Sequence, residues 1–160
     1  MERKPIKRRE ELVPLSKDHH LSLLFCWKIR QGLKMNVSPG RIKPYIKYFW
    51  QHHMQPHFLE EEKFLFVLNN DKKVEKALQE HEQIKDLIEN MMLAGQKDEA
   101  IQLLQLTDVV EAHVRYEERE LFPYLEKELN IMQLKQISQQ LNQTSQLKDD
   151  FEDAFWINKK

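Results

Sequence analysis

The chain has 160 residues, 41% of them hydrophobic, and its 25 basic and 26 acidic side chains leave a formal net charge of -1. This length suits one domain whose helices can enclose a buried cofactor, and the charge balance gives no electrostatic argument for nucleic acid or an anionic membrane as partner. Only 3 glycines and 6 prolines, with long stretches free of turn-forming clusters, favour an all-α protein over a strand-rich one.

In chain order, residues 1–11 form a basic tail carrying Arg3, Lys4, Lys7, Arg8 and Arg9. No apolar stretch follows it directly, so it does not resemble a secretory signal, and a solvated tail is expected. Ser16 is placed to cap a first helix that runs to about Gly32. Its one cysteine, Cys26, has no partner for an internal disulfide, which with the lack of any apolar run of about 20 residues predicts a reduced, cytoplasmic location. Ser38 and Pro39 mark the start of a second helix reaching about Leu68. Pro56, inside it, predicts a kink or a freed carbonyl. Asn69, Asn70 and Asp71 form the next turn and cap, and a third helix closes at Gly95. A fourth begins near Asp98 and either passes Pro123 or breaks there.

Residues from Asn130 to about Asp150 have the character of a polar, glutamine-rich fifth helix. Phe151, Phe155 and Trp156 follow, spaced to dock on the chain's own bundle, with a dimer contact or another partner as the alternative. Short connections between long helices make neighbours antiparallel. The expected architecture is an up-down-up-down four-helix bundle at 12–128 with an additional C-terminal helix in the extension at 129–160, as a monomer or homodimer.

One pattern occurs twice. The segment from His57 to Phe66 and the segment from His113 to Phe122 both read His-x-x-x-Glu-Glu-x-x-Leu-Phe. A spacing of four puts His57 and Glu61, and likewise His113 and Glu117, on one helical face about a turn apart. That face also carries Ile46, Trp50, Leu65 and Leu68 in the first copy, and Leu103, Leu106, Val110 and Leu121 in the second, so each pair points inward. An ionised glutamate buried there costs several kcal/mol unless compensated, and a metal ion is the compensation that the histidine suggests.

The other two helices supply His20, with Leu23, Leu24 and Trp27, and His81, with Val74, Leu78, Ile84 and Ile88. His57 lies about 13 residues before Asn70 and His81 about 11 after it, so at about 1.5 Å rise per residue the two fall within roughly 3 Å in depth. A single His-x-x-x-Glu is ordinarily a surface pair, but four imidazoles and two carboxylates in one layer suit two metal ions sharing the glutamates. The mixed set without thiolate favours iron or manganese over structural zinc.

Three choices stay open. The spacing to Leu23 and Leu24 favours His20 over its neighbour His19. The echo of Glu61 favours Glu117 over Glu118. His53, one turn before His57, is either a packed histidine or a further ligand or proton carrier, while His52 points elsewhere.

Over roughly Leu12 to Glu128 the chain resembles the hemerythrin-like (HHE cation-binding) proteins. The resemblance rests on Asp18-His19-His20-Leu21-Ser22-Leu23-Leu24, His57 to Glu61, Glu80-His81-Glu82-Gln83-Ile84, and His113 to Pro123. It implies a carboxylate-bridged centre of two non-haem iron ions with His20, His57, Glu61, His81, His113 and Glu117 as ligands. Oxygen-carrying members have a second histidine one turn before the position of His81, where this chain has Ala77. The set looks more like the di-iron proteins associated with repair of iron-sulfur centres. Expected roles are binding or sensing oxygen or nitric oxide, or iron handling, with iron donation for cluster repair as the alternative and a metal-free structural or interaction bundle as the second. A catalytic role ranks below binding, since no nucleophile or second cofactor motif is found, and 3 scattered glycines cannot form a phosphate-cradling loop. A ferritin-like centre would need Glu-x-x-His, which none of the histidines has.

Overall fold

A computed structural model describes residues 8–68, 70–93, 97–141 and 148–157. The tail through Lys7, Asn69 of the second turn, the helix-closing Gly95 and residues 142–147 lie outside the described residues. The described chain is all-α, without strands. A short 3-10 turn at Glu10–Leu12 leads into α1, Val13–Lys34. Pro14 occupies the first turn, where its missing N–H costs nothing, and Ser16 lies inside the helix rather than capping it. The helix outlasts Gly32 by two residues because Asn36, at φ 62°, takes the left-handed conformation that closes it.

The second helix, α2, covers residues 39–65 in four stretches: Pro39–Phe49, a π turn at Trp50–Met54, Gln55–Glu60 and a second π turn at Glu61–Leu65. The first π turn leads directly into Pro56, whose ring displaces the ordinary helical hydrogen bond, so the chain absorbs this proline by widening one turn. Asp71 caps α3, Lys72–Met91, by accepting from the N–H groups of Lys73 and Val74 at 2.9 and 3.2 Å. The fourth helix, α4, covers 99–128: Glu99–Tyr116, a π turn at Glu117–Leu121, then Phe122–Glu128, so it passes Pro123. The last helix, α5, is Ile131–Leu141, and residues 148–150, at the end of the glutamine-rich segment, are not helical.

The first and third helices each pack against α4, while α5 lies across the Glu10–Leu12 turn and the end of α2. Two apolar clusters fill the interior. One, around Phe25, Ile29, Tyr45, Phe49, Ile84 and Leu106, occupies the end nearest the α1–α2 loop. The other, around Leu12, Leu15, Leu65, Leu121, Leu125 and Ile137, occupies the opposite end. Between them lies a layer of buried polar residues. Residues 148–157 run back along α1 and α2: Phe155 is buried against Gly32, and Asp149 accepts from Lys28 Nζ at 2.9 Å and from the Tyr45 hydroxyl. The C-terminal aromatics thus dock on the chain's own bundle. No helix among the described residues is long and apolar enough to cross a membrane.

Candidate metal centre

The polar layer is built from one histidine on each of the four long helices and one glutamate on each of α2 and α4. His19, His57, His81 and His113 are buried, as are Glu61 and Glu117, both at 0% exposure. In both α2 and α4 the helix changes to a π turn at the glutamate itself, Glu61 and Glu117. Such a turn shifts the side-chain direction by a residue's worth of rotation, a distortion common at functional sites.

One expected position is corrected. His20 is exposed and stands outside the layer, while His19 is 2% exposed and faces it. The buried stripe of α1 is Leu15, His19, Ser22, Cys26 and Ile29, spaced by three and four, and this stripe selects His19. Leu23 and Trp27, which would have marked the inner face, are 38% and 51% exposed. Large apolar residues on a helix exterior are common enough to mislead a face assignment. The remaining expected residues, His57, Glu61, His81, His113 and Glu117, are brought together. His53 is buried outside the group, with Nε2 3.4 Å from the Tyr48 hydroxyl and its ring against Phe49. His52 is exposed, and Cys26 lies buried with Sγ 3.5 Å from the Thr107 carbonyl.

All four imidazoles turn Nε2 toward the two glutamates. His57 and His81 approach Glu61 Oε1 at 3.3 and 3.2 Å; His19 and His113 approach Glu117 Oε1 at 2.7 and 3.3 Å. The donor atoms form two groups, His19, His57, Glu61 and Glu117, and Glu61, His81, His113 and Glu117, each with all its atoms within 4.8 Å of one another. The glutamates belong to both. Nε2 of His57, His81 and His113, both oxygens of Glu61 and Oε2 of Glu117 are buried without a hydrogen-bond partner. Six such orphaned atoms would be costly in a folded core, and nitrogen and carboxylate donors converging in this way fit a bound metal cation.

Each imidazole is held from outside through Nδ1, which donates to a carboxylate: His19 to Glu118 at 2.7 Å, His57 to Asp18 at 3.0 Å, His81 to Glu62 at 2.9 Å and His113 to Glu80 at 2.8 Å. This fixes the tautomer that leaves Nε2 facing inward. Rings pack the same histidines: Phe58 lies flat on His81 at 3.8 Å, and Phe122 stacks on His19 at 5.2 Å.

Chain membership is decided by residues 27–125, which match the family model of the hemerythrin HHE cation-binding domain. The chain belongs to this family. Searches of curated proteins and of solved structures return no match. In this hemerythrin-family bundle the matched span includes His57, Glu61, His81, His113 and Glu117 but begins after His19, whose place in the layer comes from the fold of α1.

Electrostatics fit a cation-binding layer that holds protons when metal-free. Burial works against charge on both His57 and His81, yet Glu61 with Asp18 outweighs it at His57, and Glu117 with Glu61 and Glu62 at His81, pushing them up to about 9 and about 11. The same contest holds His19 well above, and His113 above, the ordinary imidazole value. Burial and the Glu117 charge oppose ionisation of Glu61, but the facing histidines pull it down to about 2; Glu117 is likewise held well below the carboxylate range. Sequence reasoning missed the outer carboxylates. Their signal was present in the residues directly beside the inner ones: Asp18 and Glu80 precede a histidine, and Glu62 and Glu118 follow a glutamate.

Proposed function

We propose that this chain holds two iron ions, which would be held by His19 and His57 in one group and by His81 and His113 in the other, with Glu61 and Glu117 common to both groups. The observation that carries the reading is the set of orphaned, inward-facing donor atoms in a core that is otherwise apolar on either side. Nitrogen and carboxylate donors without thiolate suit iron or manganese rather than a structural zinc site. Bound iron would supply reversible one-electron chemistry and affinity for a diatomic gas. The chain's own residues hold the imidazoles in one tautomer, neutralise the cations with two buried carboxylates and exclude bulk water with Phe58, Phe66 and Phe122.

The role that fits is binding or sensing oxygen or nitric oxide, or iron handling, in a reduced cytoplasmic setting. A second reading, iron donation for repair of iron-sulfur centres, is favoured by Ala77: it is fully buried one turn before His81, so that group has two histidines rather than three. Anaerobic reduction of the iron-loaded protein followed by oxygen or nitric oxide separates these roles. A spectral change that reverses when the gas is removed supports binding or sensing, and irreversible oxidation with iron appearing in a chelator supports donation. Purified protein that takes up no stoichiometric metal, unchanged by His57→Ala, refutes both.

A further inference from the structure

The polar layer has an approximate two-fold repeat, which is broken where Phe58 stacks on His81 while Val114 holds the matching position of α4, and again behind one of the outer glutamates. Asp18 on α1 holds His57 on α2, and Glu80 on α3 holds His113 on α4; Glu62 on α2 holds His81 on α3, and Glu118 on α4 holds His19 on α1. Phe66 and Phe122, each five residues after its inner glutamate, stack on His81 and His19 respectively. The two halves differ in what stands behind Glu62 and Glu118. Arg8 donates from Nη2 to Glu118 Oε2 at 2.8 Å and to the Glu118 carbonyl, and from Nη1 to Glu126 Oε1 at 2.7 Å. Its guanidinium also lies 5.3 Å from the centre of the Phe122 ring, and its side chain is only 7% exposed. No lysine or arginine among the described residues pairs with Glu62. Arg8 precedes His19 by the same interval that separates Asn70 from His81, so the matching place in the other half is a neutral turn residue.

We infer that Arg8 is a positioning residue for one half of the centre: by locking Glu118 and Phe122 it fixes the His19 imidazole and makes the two metal positions unequal. Glu118 is partly exposed and without Arg8 is free to turn outward, releasing Nδ1 of His19. A two-armed guanidinium holds Glu118 on one nitrogen and Glu126 on another in a fixed fork, a geometry that the single nitrogen of an ammonium does not supply. The N-terminal segment thereby reaches the centre through three side chains, Arg8, Glu118 and His19.

This inference rests on the reading of the layer as a metal pair, and a Co(II) titration followed by visible absorbance, with Mössbauer spectra of the 57Fe(II)-loaded chain, tests the two separately. Wild-type protein is expected to take up two equivalents and to show two iron environments. Arg8→Gln is expected to weaken one Co(II) step by about tenfold and shift one iron doublet, leaving the other step and doublet unchanged. Arg8→Lys, which keeps the charge should Arg8→Gln not fold, weakens the same step by about threefold. Arg9→Gln, which removes an adjacent charge without touching Glu118, leaves both steps as in wild type. Two equivalents in wild type with unaltered steps in both Arg8 variants, equal weakening of both steps, or the same loss in Arg9→Gln overturns the inference alone. Fewer than two equivalents in wild type overturns the metal-pair reading and the inference with it.

Discussion

Glu62 and Glu118 do the same work on opposite sides of the bundle: each directly follows an inner glutamate and accepts from Nδ1 of the histidine on the next helix, His81 at 2.9 Å and His19 at 2.7 Å. The duplicated Glu-Glu is therefore one inward-facing carboxylate and one outward support, separated by a residue's rotation at the start of a π turn. A support of this kind commonly contributes 10–100-fold to metal affinity. Glu118→Ala and Glu62→Ala are each expected to lower metal affinity within that range while the bundle still folds. Calorimetric titration beside far-ultraviolet dichroism checks this, and unchanged affinity in both would deny them the role.

The adjacent histidines of α1 give a sharp discrimination. His19→Ala should reduce bound metal from two ions toward one per chain, since His57 alone leaves its group with one imidazole. His20→Ala, on the exposed face, should leave both ions in place and stability within about 0.5 kcal/mol. Metal analysis of the two purified variants decides between the neighbours, and the opposite pattern would return His20 to the centre.

The pH dependence of stability should reverse on metal loading. In the metal-free chain His57 and His81 are raised to about 9 and about 11, so their contribution is complete below the unfolded value of 6.5 and fades as pH rises through those values. Glu61 is lowered to about 2, so its contribution is present above the unfolded value of 4.5 and is lost as pH falls toward 2. The metal-free protein is then more stable at pH 6 than at pH 9. Metal requires neutral imidazoles and displaces their protons, so its stabilisation grows over the same interval. Urea midpoints at pH 6 and pH 9, with and without Co(II), measure both arms; a metal-free midpoint that rises with pH contradicts the assignment.

Gly32 and Phe155 fix the C-terminal segment. A Cβ at Gly32 would meet the Phe155 ring at 2.7 Å, so Gly32→Ala must displace the ring, at a cost of about 1–3 kcal/mol. Phe155→Ala should cost about 3–5 kcal/mol through the cavity it leaves beside Tyr45 and Ile42. Chemical denaturation of both variants tests this, and an unaltered midpoint would mean that the segment is not docked in solution.

Burial pushes the Cys26 thiol up to about 12. It should react with a thiol reagent only as the chain unfolds, and rapid labelling of the native protein would contradict its placement.

The four long helices and the inward direction of His57, Glu61, His113 and Glu117 were legible in the sequence, because a spacing of four on an amphipathic helix is a local property. The same locality identified Asp71 as a cap and the chain as hemerythrin-like. Tertiary structure alone chose His19 over His20: adjacent residues differ by 100° around a helix, and only the stripe that packs on α4 tells which of them faces inward. It also decided the outer carboxylates, since Asp18, Glu62, Glu80 and Glu118 each serve a histidine on a different helix. No spacing within one segment encodes that reach; it exists once four helices are packed around a common layer.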